Sequence, residues 1–247
     1  YGMAFNPQIN NQLDWNPDGQ NFSAIYAGHN GSTGYITTGG TSNGFVPATL
    51  SIWVRKPAEC TETSVTRGSR QVIQFSRLGT CVWTPPVGVS SVDVLVVAGG
   101  GGAGDGGGGA GGVLSRTSFD VSGSVSVSVG QGGAGSRVHQ VRQVDNGQAS
   151  KFDSIVASGG GGGAQYQGST FGASGGSGGG AVTTAGTGNS GGYSPVEGYA
   201  GWAPGSATGQ SGGGGGASAA AVSNYVPTGA NGLSSSINGT ATTRGGG

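Results

Sequence analysis

Three glycines carry the most recognisable chemical spacing in this sequence. Gly99, Gly101 and Gly104 follow an apolar stretch at 91–98 and match the G-x-G-x-x-G pattern, in which a helix N-terminus holds the pyrophosphate of a dinucleotide. That helix needs residues that favour it, whereas the stretch at 105–112 is mostly glycine. Each glycine costs about 1 kcal/mol relative to alanine inside a helix. We therefore expect neither a helix nor a dinucleotide cofactor at this position.

The cysteines and histidines are the residues best suited to bind a metal. The chain has two of each: Cys60, Cys81, His29 and His139. Structural zinc sites use four ligands in closely spaced pairs, and neither the number nor the spacing of these residues suits one, so we predict no metal site. The two cysteines leave two alternatives open. They form a disulfide, which would be typical of an extracellular protein or a virion, or they are two buried small apolar side chains.

Charged residues are scarce, and this argues against catalysis and against nucleic-acid binding. The chain has ten Lys and Arg and ten Asp and Glu, which gives a net charge of zero. The only charged residues in 152–247 are Asp153, Glu197 and Arg244. General acid–base catalysis needs juxtaposed titratable groups, and nucleic acid needs a basic surface. We predict a protein that is not an enzyme, takes no cofactor and binds no nucleic acid. No apolar run reaches about 18 residues, so no membrane span is predicted.

The distribution of glycine divides the chain into two predicted domains. Of the 59 glycines, 48 lie in residues 99–247. Residues 1–80 have short alternating stretches between polar turns, with the longest at 45–55, which predicts a β-sandwich-like domain. A hairpin is expected at 63–75 around Gly68. Residues 81–247 form the predicted glycine-rich domain. No apolar period of 3.6 residues appears, so the fold is predicted to be mainly β with very little α-helix.

The glycine runs predict an unusual scaffold. A polyglycine segment adopts the polyproline II conformation, with three residues per turn, and side-by-side packing of such helices lets their backbones hydrogen-bond to one another. The glycine-rich domain is therefore predicted to contain short strands and stacked polyglycine II helices. The alternative is a disordered glycine linker; alternating strands and aromatic residues between the runs argue against it. The longest runs are at 99–102, 106–109, 159–163, 175–180 and 212–216.

Aromatic residues lie in the loops between the glycine runs. Tyr and Trp surrounded by Ser, Gly and Asn make up the composition of adaptable binding surfaces, so these loops are candidates for receptor contact. The alternative is that the aromatic side chains cover the ends of the bundle as a small satellite core. The candidate residues are Tyr166, Phe171, Tyr193, Tyr199, Trp202 and Tyr225.

Several ordered motifs resemble a known family. Val82–Gly102, with its Trp-Thr-Pro-Pro step and its valine strand running into four glycines, looks like the entry to the glycine-rich domain of phage tail proteins and some bacterial surface proteins. The valine–glycine strand at 125–135, the Gly-x-x-Ser-x-Phe step at 147–152 and the return into polyglycine at 157–163 continue this resemblance. The series is similar to the tip adhesins of phage long tail fibres. The opening Tyr-Gly-Met-Ala-Phe-Asn resembles the small N-terminal domains of phage tail-tip proteins.

The resemblance implies a function in a virion. It implies a structural protein of a bacteriophage tail tip or tail fibre, synthesised in the host cytoplasm, which binds a host glycan or surface protein through loops of the glycine-rich domain. Its N-terminal domain would dock onto other tail proteins, in a homotrimer or another symmetric tail assembly. Two alternatives stay open: a purely structural tail or baseplate component without receptor contact, and a secreted glycine-rich surface or wall protein.

Overall fold

The structure is a computed structural model, and it describes residues 12–13, 25–26, 59–136, 144–165, 170–205, 211–224 and 226–247. The chain divides into two compact units, Tyr1–Lys56 and Pro57–Gly247. In the first unit, strand β1 (Gln12–Leu13) pairs antiparallel with β2 (Ile25–Tyr26). The strand predicted at 45–55 lies outside the described residues, so the β-sandwich-like domain and its boundary at residue 80 stay predictions.

The second unit contains several small antiparallel sheets. The strands are β3 Glu62–Arg67, β4 Arg70–Phe75, β5 Gly79–Trp83, β6 Ser91–Val97, β7 Val113–Asp120, β8 Val125–Val129, β9 Ser150–Phe152, β10 Ile155–Ala157, β11 Ser223–Asn224, β12 Val226–Pro227, β13 Leu233–Ser235 and β14 Thr242–Arg244. One sheet has four strands in the order β10-β9-β8-β5, and the others are the pairs β3–β4, β6–β7, β11–β12 and β13–β14. The described residues are mainly β and contain no helix, as the sequence predicts.

The hairpin predicted around Gly68 is confirmed. Strands β3 and β4 pair in register from Glu62–Phe75 to Arg67–Arg70, which leaves a two-residue turn. Gly68 has a φ of +60°, a left-handed conformation that costs glycine nothing and that other residues adopt at a steric cost.

The hydrophobic core lies between the β6–β7 pair and the four-stranded sheet. Val125 and Val127 alternate with serine along β8, so that the valines are buried, which is the pattern of a strand with one face in a core. The ring of Phe152 packs against that of Trp83 with the centroids 5.9 Å apart. A disulfide joins Cys60 to Cys81 on β5. Other buried members of the core include Val94, Val96, Leu114, Val121 and Ile155.

The glycine runs form a bundle that is joined by backbone hydrogen bonds. Along the run at 106–112, every third residue donates to the same neighbouring run, and the bonds are Gly106–Ala164 at 3.0 Å, Gly109–Gly161 at 2.8 Å and Gly112–Ser158 at 2.8 Å. The next position along the run serves another neighbour, with Gly107 donating to Gly212 and Ala110 to Gly215. A period of three is that of the polyproline II helix. The predicted stack of polyglycine II helices is therefore present.

The run at 175–181 is the central run of the bundle. It exchanges backbone hydrogen bonds with the runs at 106–112, 158–165, 184–189, 197–203 and 211–217. Each of these hydrogen bonds satisfies a backbone group that would otherwise be buried without a partner, which explains how a segment with almost no side chains stays ordered.

The close approach of these backbones requires glycine at particular positions. A Cβ atom on Gly161 would overlap the carbonyl oxygen of Ala173, and one on Gly109 would overlap that of Ser177. At Gly100, in contrast, the nearest atom to such a Cβ lies 3.7 Å away. Glycine is thus a packing requirement inside the bundle and dispensable at parts of its surface.

Candidate binding surface at the far end of the bundle

The runs give the bundle two distinct ends. The run at 99–103 leaves β6, turns at 104–106 with Gly104 donating to the carbonyl of Gly106 at 2.9 Å, and returns as 106–112 to β7. We call the end next to the strands the sheet end and the end at this turn the far end. Residues at the sheet end include Ala98, Gly112 and Ser158, and Gly112 donates to the carbonyl of Ser158 at 2.8 Å.

Hydrogen bonds place the ends of the other runs at the level of this turn. They connect runs that are distant in the sequence, so the ends of several runs lie at one surface. The far-end bonds are Ser136 to Ala103 at 3.0 Å, Gly106 to Ala164 at 3.0 Å, Ala164 to Gly180 at 2.9 Å, Ala181 to Trp202 at 3.0 Å and Gly212 to Ala181 at 2.8 Å.

A small apolar cluster covers the far end. Ala164, Ala181 and Val182 have no exposed surface, and Ala203 packs against them. Because glycine runs have no side chains of their own, these aliphatic groups exclude water from the last backbone hydrogen bonds of the bundle. The buried members of this cluster are aliphatic, whereas the alternative drawn from the sequence assigned the cover of the bundle's ends to the aromatic residues.

A buried amide lies beside the aliphatic cluster. The side chain of Gln165 is 2% exposed, and neither its oxygen nor its nitrogen has a hydrogen-bond partner among the described residues. A Cβ on Gly104 would contact both this amide and the side chain of Val144, which places Gln165 at the far-end turn. A buried amide without a partner costs free energy.

Two of the aromatic residues predicted to contact a receptor lie towards the far end. Phe171, whose side chain is 59% exposed, forms a bridge with Thr184 next to the turn that follows Val182. Trp202 is half-buried, and its backbone bonds to Ala181 and Gly213. Tyr166 and Tyr225 lie outside the described residues.

The other two predicted residues lie elsewhere. Tyr193 packs against the hydrophobic core at the sheet end, where its hydroxyl donates to the carbonyl of Val156. The backbone of Tyr199 bonds to Gly178 and Gly216 in the half of the bundle nearer the strands. Among the described residues, the structure therefore does not bring Phe171, Tyr193, Tyr199 and Trp202 into one site. Tyr193 covers part of the hydrophobic core at the sheet end.

The loop at 189–197 is organised by Glu197 and Asn189, two residues that are not among the candidate site residues predicted from the sequence. The carboxylate of Glu197 is completely buried and accepts hydrogen bonds from the backbone of Ser158 at 2.7 Å and Gly191 at 2.8 Å. The side chain of Asn189 accepts from the N–H of Tyr193 and Glu197 and donates to the carbonyl of Tyr193. The signal available was the position of Glu197 as a rare charged residue in a nearly uncharged region.

These contacts give Glu197 a structural part. Its two oxygens are engaged by backbone N–H groups, and no cluster of His, Cys, Asp or Glu that could bind a metal occurs in the described residues. His29 and His139 lie outside the described residues. Within the same residues, no helix is long and apolar enough to cross a membrane.

The sequence matches the model of a glycine-rich domain over residues 75–247. The chain belongs to this glycine-rich domain family. The matched range covers strands β5 to β14 and the complete bundle, so the predicted glycine-rich domain is confirmed. No curated protein and no solved structure matches the chain.

Proposed function

We propose that this glycine-rich domain protein is a non-enzymatic structural protein of a bacteriophage tail, at the tail tip or on a tail fibre, and that its far end binds a host receptor. The observation that carries the proposal is that the ends of several glycine runs, including Ala164, Ala181 and Gly212, lie together at one end of a hydrogen-bonded scaffold. Binding residues commonly lie on loops that a rigid scaffold positions. Here the scaffold interior is backbone, so loop sequences are free to vary without repacking a core.

The chemistry of the far end suits a neutral receptor surface. Phe171 is exposed and Trp202 is half-buried. Aromatic faces stack on sugars and on apolar protein surfaces. The proposed receptor is a glycan or a surface protein of the host, bound by stacking, hydrogen bonds and shape rather than by charge.

The rest of the chain has a proposed place in the particle. The N-terminal residues would dock onto other tail proteins, as a homotrimer or within another symmetric assembly, after synthesis in the host cytoplasm. The disulfide between Cys60 and Cys81 is compatible with a particle that persists outside the reducing cytosol.

Cell binding tests the proposal. The full chain, labelled with a fluorophore, is titrated against a panel of Gram-negative and Gram-positive bacteria, and a strain that binds it is then used with the double variant Phe171→Ala/Trp202→Ala. The matched control is Leu233→Ala, because Leu233 is 37% exposed on β13 and away from the far-end residues. We expect the double variant to bind at least about tenfold more weakly and the control to bind normally.

The other outcomes separate the alternatives. Binding that neither variant weakens would place the receptor contact away from the far end. Failure of the full chain to bind any strain in the panel would favour a purely structural tail component. Retention of the labelled chain on isolated cell-wall material from its own producer would favour a surface or wall protein.

A further inference from the structure

A groove of about 730 Å³ lies in the second unit, away from the far end of the bundle. Every residue of β4 (70–75) and every residue of β6 (91–97) lines it. Side chains alternate between the two faces of a strand, so a cavity that contacts every residue of a strand is expected to extend along that strand's edge. The groove therefore follows the edges of two strands at once.

Both of these edges are open in the described part of the chain. Strand β4 pairs there only with β3, and β6 only with β7. The two-residue turn makes Arg67 and Arg70 the closing hydrogen-bonded pair of the hairpin, and such pairs alternate along an antiparallel ladder. Gln71, Ile73 and Phe75 consequently direct their backbone N–H and C=O groups away from β3.

The same alternation applies to β6. Ala98 donates to the carbonyl of Gly112 at 3.0 Å, which fixes the hydrogen-bonded positions of the β6–β7 ladder. Leu95 and Val97 therefore direct their backbone groups away from β7. The partner of Val97 in the ladder confirms this, because Val113 donates outwards to the carbonyl of Glu197. No hydrogen bond between described residues reaches the outer edge groups of Leu95 or Val97.

The side chains around the groove define what it would accept. Its floor is apolar and includes Trp83, Val127 and Phe152. Its charged residues are Arg70, Lys151, Arg244 and Asp93, which gives an excess of positive charge. The Nη1 atom of Arg70 bonds to Oδ2 of Asp93 at 3.2 Å, and this exposed pair links the beginning of β4 to β6.

We propose that the groove binds an extended strand of a partner polypeptide, with apolar side chains at alternate positions and acidic residues near its ends. An extended backbone is the occupant that can pair with two open strand edges at once. Alternate apolar side chains would reach the floor of the groove, and the acidic residues would match the excess of positive charge. A strand in this position would join β3–β4 and β6–β7 into one continuous sheet.

The matched proline variants Gln71→Pro and Thr66→Pro test this pairing. Both positions belong to the same non-hydrogen-bonded pair of the hairpin, so each proline removes an outward N–H and leaves the hairpin ladder intact. Gln71 lies at the groove and Thr66 at the opposite edge. The probe is the fluorescein-labelled nonapeptide Glu-Ser-Val-Thr-Val-Thr-Val-Ser-Glu, and a second peptide has proline in place of both threonines. Binding to the full chain is measured by fluorescence anisotropy.

We expect Gln71→Pro to weaken binding of the probe at least about tenfold, Thr66→Pro to leave it unchanged, and the proline-containing peptide to bind at least about tenfold more weakly than the probe. Equal effects of the two variants would overturn the proposal, as would no binding by the wild-type chain at about 1 mM probe. Equal binding of the two peptides would overturn it too, because an apolar ligand without strand pairing would then explain the groove.

Amide hydrogen exchange on the wild-type chain provides a measurement that needs no variant. Saturating probe should slow the exchange of the amides of Gln71, Ile73, Leu95 and Val97 while leaving the outer edge of β3 unchanged. Unchanged exchange at these four amides would contradict strand addition even if the probe binds.

Discussion

The carboxylate of Glu197 accepts a hydrogen bond of 2.7 Å from the backbone N–H of Ser158, a residue 39 positions earlier in the chain. Through this bond, the loop at 189–197 is fixed to the point where β10 enters the glycine bundle. The other carboxylate oxygen accepts a hydrogen bond from the backbone N–H of Gly191, so each oxygen satisfies one backbone N–H group. A rare charged residue of the glycine-rich domain thus serves to join the bundle to the strands.

Replacing Glu197 with glutamine should destabilise the protein. One side of the amide carries N–H groups, which would face a backbone N–H of Ser158 or Gly191, so a buried hydrogen bond would become a contact between two donors. We expect Glu197→Gln to lower the free energy of unfolding by about 1–3 kcal/mol. The measurement is urea unfolding followed by tryptophan fluorescence. Asp153→Asn serves as the control, because Asp153 is exposed. If Asp153→Asn lowers the free energy of unfolding as much as Glu197→Gln does, the structural role of Glu197 is contradicted.

Alanine in place of Gly161 should disrupt the bundle. The added Cβ would overlap the carbonyl oxygen of Ala173, so two backbones must separate and lose hydrogen bonds. We expect Gly161→Ala to cost about 1–3 kcal/mol or more in thermal and urea unfolding.

Gly100→Ala is the matched control for this substitution. Its Cβ would have its nearest neighbour at 3.7 Å, and alanine also reduces the conformational freedom of the unfolded chain. We expect a change between zero and a gain of about 1 kcal/mol. Equal effects of the two alanine substitutions would mean that the runs are not packed as described.

Loss of the disulfide should destabilise the core. The bond between Cys60 and Cys81 closes a loop with a sequence separation of 21 residues, for which the loss of loop-closure entropy in the unfolded chain predicts about 3 kcal/mol. We expect dithiothreitol to lower the melting temperature of the wild-type chain. The double variant Cys60→Ser/Cys81→Ser should melt at the lower temperature with or without reductant. A wild-type melting temperature that reductant leaves unchanged would contradict this prediction.

Removal of the Tyr193 hydroxyl tests whether this residue stabilises the fold or contacts the receptor. Tyr193→Phe removes the donor to the carbonyl of Val156, and we expect a loss of about 1 kcal/mol in unfolding free energy with unchanged binding to bacteria. Tyr199→Phe is the control for stability, because the Tyr199 side chain is 39% exposed. A loss of cell binding with Tyr193→Phe would assign this residue to the receptor surface.

The sequence predicts the elements of the glycine-rich domain well because they depend on local chemistry. The alternating valines of β8, the turn at Gly68 and the three-residue period of the glycine runs follow from side-chain alternation, left-handed glycine and polyproline geometry. The sequence does not predict which glycine runs lie next to each other in the bundle. Glycine has no side chain to distinguish one run from another, so the sequence does not indicate that Gly109 donates to Gly161.

The candidate site depends on information that is not local. Tyr193 and Trp202 are nine positions apart in similar surroundings of glycine, serine and alanine, yet one covers the core at the sheet end and the other lies near the far end. The direction of each run decides this, and direction is set by long-range backbone bonds. The structural role of Glu197 also cannot be predicted from the sequence, because its partners are backbone N–H groups, which every residue except proline has.

Residue-resolved amide hydrogen exchange tests the packed glycine scaffold most directly. We expect the amides of Gly109, Gly161 and Gly178, which donate to neighbouring runs, to exchange as slowly as that of Val127 in β8. The amide of Gly123, in an exposed turn, should exchange rapidly. If these three glycine amides exchange at the rate of Gly123 while Val127 stays protected, the runs are not a hydrogen-bonded bundle and cannot hold a far-end binding surface.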